Sequence, residues 1–138
     1  MVWTGSELLT RQGTRYAAPA WFVAGLPSTP LDGELVTIGR TSCDAVNGAV
    51  HAGQWHRLEF RPFDVVSAGV SFEQAREIMA TLALPSHVRP VEWRNVRSAK
   101  EAIAIAASIQ ADGGEGAMVR RPGSSYTPGR TAALLKMK

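Results

Sequence analysis

Five short segments gather the residues best suited to chemistry. They are Leu9-Thr-Arg-Gln-Gly13, Leu31-Asp-Gly-Glu-Leu35, Phe60-Arg-Pro-Phe-Asp64, Gly114-Glu-Gly-Ala-Met-Val-Arg120 and Leu134-Leu-Lys-Met-Lys138. Between them they offer carboxylates at Glu34 and Glu115, a ring at Phe63, a thioether at Met118 and cations at Arg11, Lys136 and Lys138. Lys136 and Lys138 stand two apart, so on a strand both point to one face. Taken singly, each segment has an ordinary structural explanation. Asp-Gly is a common turn, Glu-Gly is common in loops, and a lysine pair at a chain end is often just solvated.

Other chemistries find less support. His51, His56 and His87 lie at no metal-ligand spacing. Neither a phosphate-cradling Gly-x-x-x-x-Gly-Lys-Ser/Thr nor a dinucleotide-binding Gly-x-Gly-x-x-Gly occurs. Cys43 is the one cysteine, which rules out an intrachain disulfide or a cysteine zinc cluster. There is no apolar run of membrane-spanning length and no signal-peptide pattern at Met1, so a cytoplasmic protein without a membrane partner is expected. The formal net charge is +3, and the fifteen basic residues include only three lysines, Lys100, Lys136 and Lys138. Arginine forks suit phosphate. A basic excess this mild permits nucleic-acid binding without establishing it.

The elements that must position these residues follow from periodicity and punctuation. A length of 138 residues suits one domain with one core. Strands are expected at Ser6 to Arg11, Leu31 to Ile38, His56 to Val66, Val88 to Val96, Gly116 to Arg121 and Ala132 to Met137. In the third of these, Leu58, Phe60 and Val65 point inward, and Pro62 requires a bulge or an edge. Prolines reduce the stretch around Trp21 and Phe22 to a short turn. Small and polar residues make Thr41 to Gly53 irregular. Ser71-Phe-Glu-Gln74 and Ser98-Ala-Lys-Glu101 are two capping-box signals. The first opens a helix with Phe72, Ala75, Ile78, Met79 and Leu82 on one face, ended by Pro85. The second opens a helix with Ala102, Ile105, Ala106 and Ile109 in a stripe, stopped at Gly113. The whole reads as α+β, helices on mostly antiparallel strands.

In order and spacing, the five segments resemble the motifs of the covalent nucleotidyltransferases, which include DNA ligases, RNA ligases and capping enzymes. The likeness covers nearly the whole chain. Ala18-Pro-Ala-Trp-Phe22 leading into Pro30-Leu-Asp-Gly-Glu-Leu35, and Tyr126-Thr-Pro-Gly-Arg130 leading into Leu-Leu-Lys-Met-Lys, are similar to compact bacterial and phage ATP-dependent DNA ligases. The resemblance implies an ATP-grasp-like adenylation core, ATP and Mg2+ as cofactors, and nicked duplex DNA as partner, sealed in replication, repair or recombination. It implies that Glu34 accepts hydrogen bonds from the ribose, that Phe63 and Met118 cover the two faces of adenine, and that Glu115 orients the magnesium. It further implies that Lys136 and Lys138 meet the α-phosphate and that Arg11 and Arg130 contact nucleotide or DNA.

The family's nucleophile lies in a Lys-x-Asp-Gly segment just before the position of Arg11, and none is present. Lys100 is the first lysine, and Trp3-Thr-Gly5 fits the family's pattern shortly after the nucleophile. The resemblance therefore implies an incomplete adenylation domain spanning 1–138, without catalytic lysine or OB-fold domain. The missing segment would lie on a longer reading frame or on a separate polypeptide, or the chain would be a degenerate relic. Its loss would bare a sheet edge and weaken the isolated chain. Alternative readings are a non-catalytic fragment that binds ATP or nicked DNA, and a relative acting on RNA ends.

Overall fold

The computed structural model describes residues 1–39 and 43–137. Its strands are β1 (Val2–Trp3), β2 (Leu8–Leu9), β3 (Leu31–Thr37), β4 (Leu58–Val65), β5 (Ala117–Arg120) and β6 (Leu134–Met137). Its helices are α1 (Ala20–Val23), α2 (Cys43–His51), α3 (Phe72–Thr81) and α4 (Ala99–Ala111). Two antiparallel sheets result, one of order β2-β1-β3-β4 and one of β5-β6.

β3 is built by alternation. Leu31, Gly33, Leu35 and Thr37 are buried, while Asp32, Glu34 and Val36 face the other way. The register continues this into β4, pairing Leu35 with Phe60 and Thr37 with Leu58 on the core face. The core joins these residues to Trp3, Leu8, Phe22, Trp55, Val65, Ala75, Met79 and Val88. Phe22 is fully enclosed, with its ring 4.8 Å from Trp55 and 4.6 Å from His87.

The register shifts between Asp32 and Gly33, opposite Pro62, where sequence required a bulge or edge. Gly33 is needed there. A Cβ at this position would lie 2.5 Å from the Arg61 carbonyl oxygen and 2.6 Å from the Phe60 ring. Pro62 donates nothing to the ladder, but its carbonyl accepts from Val91 N–H at 2.9 Å. That bond belongs to a parallel stretch along the outer edge of β4, where His87 and Arg89 bracket Phe60. The strand expected over Val88 to Val96 is thus realised only as backbone rungs as far as Val91. Beyond it, Trp93 is half-exposed and lies against the Arg76 guanidinium, which also stands over Phe72.

Three other expectations need correcting. The Thr41 to Gly53 region is not irregular throughout, because Cys43–His51 is helical. Val46, Ala49 and Val50 recur at i, i+3, i+4 and pack on the core, which outweighs the weak propensity of Asn47 and Gly48. Thr41 itself lies outside the described residues. The turn at Trp21 and Phe22 is a single helical turn, and the strand expected from Ser6 shrinks to Leu8–Leu9.

Both helix starts hold. Ser71 caps α3 with the full reciprocal box, while Ser98 caps α4 and Glu101 instead accepts from Arg97 N–H at 2.8 Å. Gly113, at φ 88°, follows α4 as its stop. Among the described residues no helix is long and apolar enough to cross a membrane. Ser71→Ala is expected to lower unfolding free energy by about 1 kcal/mol in urea titration, the usual value of an N-cap.

Candidate functional site

The face of β3 turned away from the core carries Asp32 and Glu34. Glu34 is exposed and stands across from Arg61, while Asp32 stands across from Asp64. The bulge leaves Phe63 as the extra residue of β4, without a partner on β3 and half-buried. Bulges re-aim side chains in this way. One sheet therefore carries both the Glu34 acceptor and the Phe63 ring.

The β5–β6 hairpin presents the complementary set. Met118 pairs directly with Lys136 across the ladder. Glu115, just before β5, receives a hydrogen bond from Lys136 Nζ at 2.7 Å. Met118 is 55% exposed. Among the described residues there is no cluster of three or more His, Cys, Asp or Glu side chains able to hold a metal. A cation at Glu115 would need oxygens from a bound phosphate and water, which is how magnesium is commonly held.

The Arg120 and Tyr126 side chains tie the hairpin and its connection to the larger sheet. The Arg120 guanidinium reaches Asp64 Oδ2 at 2.6 Å, with side-chain exposures of 8% and 2%. It also donates to Ser124 Oγ at 2.8 Å and to the Ser125 carbonyl at 3.1 Å, and stands over the Phe72 ring. Asp64 Oδ1 accepts from Val65 N–H. Tyr126 donates its hydroxyl to Asp32 Oδ2 at 3.1 Å. The loop between these partners docks on the start of α3, where Gly123 N–H donates to the Glu73 carboxylate and Phe72 N–H to the Ser124 carbonyl.

Burial governs the titration of this junction. It raises the Asp32 carboxyl, against the opposing pull of the Met1 amino group 4.0 Å away and of the Tyr126 hydrogen bond. Burial and the Asp32 charge push the Tyr126 phenol up to about 12. The Met1 ammonium is lowered by burial, opposed by Asp32 and Glu34, and lowered further by the Arg11 charge. Met1 and Gly33 exchange backbone hydrogen bonds, which continues the β1–β3 ladder.

Of the residues singled out in the sequence, Glu115, Met118 and Lys136 thus share one hairpin, and Glu34 and Phe63 share the neighbouring sheet. Arg11 lies exposed beyond β2, within electrostatic reach of Met1. Arg130 is exposed on the β5–β6 connection. Lys138 lies outside the described residues. A shallow cleft of ≈ 310 Å³ lined by Trp21, Ile38, His56, Glu59 and His87 includes none of them.

The chain is similar to known DNA ligases. Over 141 aligned residues the chain is 30% identical to the DNA ligase of Haemophilus influenzae, covering 99% of this chain and 53% of that one. A structure from a structure-function analysis of Lig E DNA ligases superposes with a TM-score of 0.88 at 28% identity, covering 99% of this chain and 57% of that one. These likenesses support an adenylation-type domain of the ATP-dependent DNA ligases. At 20% identity, the Chlorella virus DNA ligase-adenylate shares the fold of this chain, with a TM-score of 0.76 over 96% of the present chain and 56% of the viral one. No family model matches. The ligase domain spans about half the length of the relatives it matches.

Sequence reasoning passed over Asp64, Arg120 and Tyr126, although all three lie in or beside the quoted segments. The available signal was Asp64 itself, an acid between Phe63 and Val65 on a core strand, which requires a buried partner. Asp64→Ala, which strands the Arg120 charge, is expected to destabilise the ligase domain by about 3–5 kcal/mol in denaturant unfolding. Tyr126 supplies a second check. Its folded pKa lies above the ordinary 10.0, so its stabilisation is complete below pH 10 and disappears as pH rises through about 12. Absorbance titration at alkaline pH should show a component near 12 that is absent from Tyr126→Phe.

Proposed function

We propose that the chain is the nucleotide-binding part of an ATP-dependent DNA ligase that seals nicks in duplex DNA, with magnesium as the metal and the cytoplasm as its place of action. The observation that carries this reading is the Glu115–Lys136 ion pair on the hairpin that also exposes Met118. Across the junction stand Glu34 and Phe63. Together these groups supply what an adenine nucleotide requires: an acceptor for ribose hydroxyls, two apolar faces for the base, a cation for phosphate and a carboxylate for the metal.

In this reading Lys136 exchanges partners. Without nucleotide it holds Glu115. With nucleotide, its ammonium turns to the α-phosphate and the Glu115 carboxylate turns to the magnesium. The exchange keeps each charge paired throughout, and both groups are exposed enough to move. Arg11 and Arg130 are proposed to meet nucleotide or DNA phosphates, and Lys138 to assist Lys136.

Ligation begins when a lysine amine attacks the α-phosphate, forming a nitrogen–phosphorus bond and releasing pyrophosphate. The attacking amine must be aligned within about 3–3.5 Å of phosphorus. Lys136 and Lys138 are assigned to holding the phosphate, and Lys100 sits in the first turn of α4, on an element that carries none of the nucleotide residues. We therefore propose that these 138 residues bind ATP but do not themselves become adenylated. Incubation with α-labelled ATP and magnesium is expected to leave no acid-stable label on the protein, and a labelled band would refute this. Equilibrium titration is expected to show ATP binding that weakens about tenfold in Lys136→Ala, the scale of one charge-assisted contact. An unchanged affinity in that variant would remove Lys136 from the site.

A further inference from the structure

The proposed nucleotide groups sit on two sheets that share no ladder. β3 and β4 carry Glu34 and Phe63, and β5 and β6 carry Met118 and Lys136. The groups that join the sheets are close neighbours of the nucleotide groups. Asp64 follows Phe63. Arg120 stands two residues beyond Met118, on the same face of β5 by the pleat. Asp32 stands two residues before Glu34, on the same face of β3. A shift at either contact is thus transmitted to a nucleotide-facing side chain one or two residues away.

We propose that the Asp64–Arg120 pair and the Tyr126–Asp32 hydrogen bond set the separation between Phe63 and Met118, making Asp64, Arg120 and Tyr126 positioning residues for a purine base. This rests on the nucleotide-binding reading above. The Arg120 guanidinium is held by Asp64, Ser124, Ser125 and the Phe72 face together. A fork fixed from so many sides has a single position, unlike a lysine ammonium. Buried ion pairs add little net stability against apolar replacements, and their best-attested use is to specify a register. The register here is that of one sheet against another. Base stacking is sensitive to such spacing, because a gap of about 0.5–1 Å forfeits a quarter to a half of the dispersion well.

The test separates the base from the phosphates. Affinities of the 138-residue chain for ATP and for inorganic tripolyphosphate, each with magnesium, are measured by calorimetry, with thermal melts to confirm folding. The unaltered chain is expected to prefer ATP. Arg120→Lys is expected to weaken ATP binding about tenfold, the scale of one lost base stack. Tripolyphosphate binding should stay within about twofold, because Lys136 and Glu115 share one hairpin and one charge-assisted contact is unaltered. Should Arg120→Lys fail to fold, Tyr126→Phe removes one hydrogen bond and is expected to weaken ATP alone, by about threefold. A folded variant that binds both ligands as before, or loses both equally, overturns the positioning role. If the unaltered chain shows no preference for ATP over tripolyphosphate, the nucleotide-site reading fails, and the positioning role falls with it.

Discussion

A carboxylate with 2% of its side chain exposed requires a partner, and among the described residues Asp64 pairs with Arg120 of the other sheet. That requirement orders much of what surrounds it. Arg120 must leave β5 toward β4, so the loop that follows must turn back to satisfy its remaining donors. Ser124 and Ser125 do so, and in turning the loop reaches the first turn of α3. There Phe72 lends its ring face to Arg120 and its N–H to the loop. One buried ion pair thereby ties a short hairpin, which two strands alone would barely stabilise, to a helix and to the larger sheet.

The same constraint explains why Asp32 and Asp64 can stand opposite one another on neighbouring strands. Like charges so placed would normally repel. Each is instead answered from outside the β3–β4 pair, Asp64 by Arg120 and Asp32 by Tyr126 with the Met1 amino group nearby. The Asp32 carboxyl nevertheless lies above its ordinary pKa, with burial the leading cause. Its partners are weaker than an arginine fork, and they offset that burial only in part.

What could be read from the sequence was whatever periodicity or punctuation encodes locally. Alternation marked β3, Ser71 and Ser98 marked the starts of α3 and α4, and Pro62 announced its bulge. The segments holding Glu34, Phe63, Glu115, Met118 and Lys136 were recognisable by order and spacing, and the fold that their resemblance implied is the one observed. The helix at Cys43–His51 was missed because its stripe is short and interrupted by Asn47 and Gly48, so packing on the core rather than propensity decides it. The strand after Val88 was overextended because alternation cannot tell a residue bonded to β4 from one, such as Trp93, that packs on an arginine. Asp64, Arg120 and Tyr126 were missed for a different reason. Their partners lie 56 and 94 residues away in the chain, and no local pattern records a pairing of that range.

The division of labour between the two kinds of cation follows from their chemistry. Arginine presents a rigid, weakly hydrated fork that can be saturated on all sides and buried, which is its use at Arg120. Lysine is a strongly hydrated point charge on a flexible stem, and it can trade one oxygen partner for another with little rearrangement. Lys136 occupies an exposed place on β6 beside a carboxylate that is equally exposed. Exchanging these two residues would defeat both uses. A lysine at 120 would leave acceptors on Asp64 and in the 124–125 loop unmet, and an arginine at 136 would clamp Glu115 in a two-pronged pair that resists being opened. A chain with so few lysines and so many arginines thus keeps a lysine in an exposed pair at Lys136 and an arginine in the buried pair that joins the two sheets.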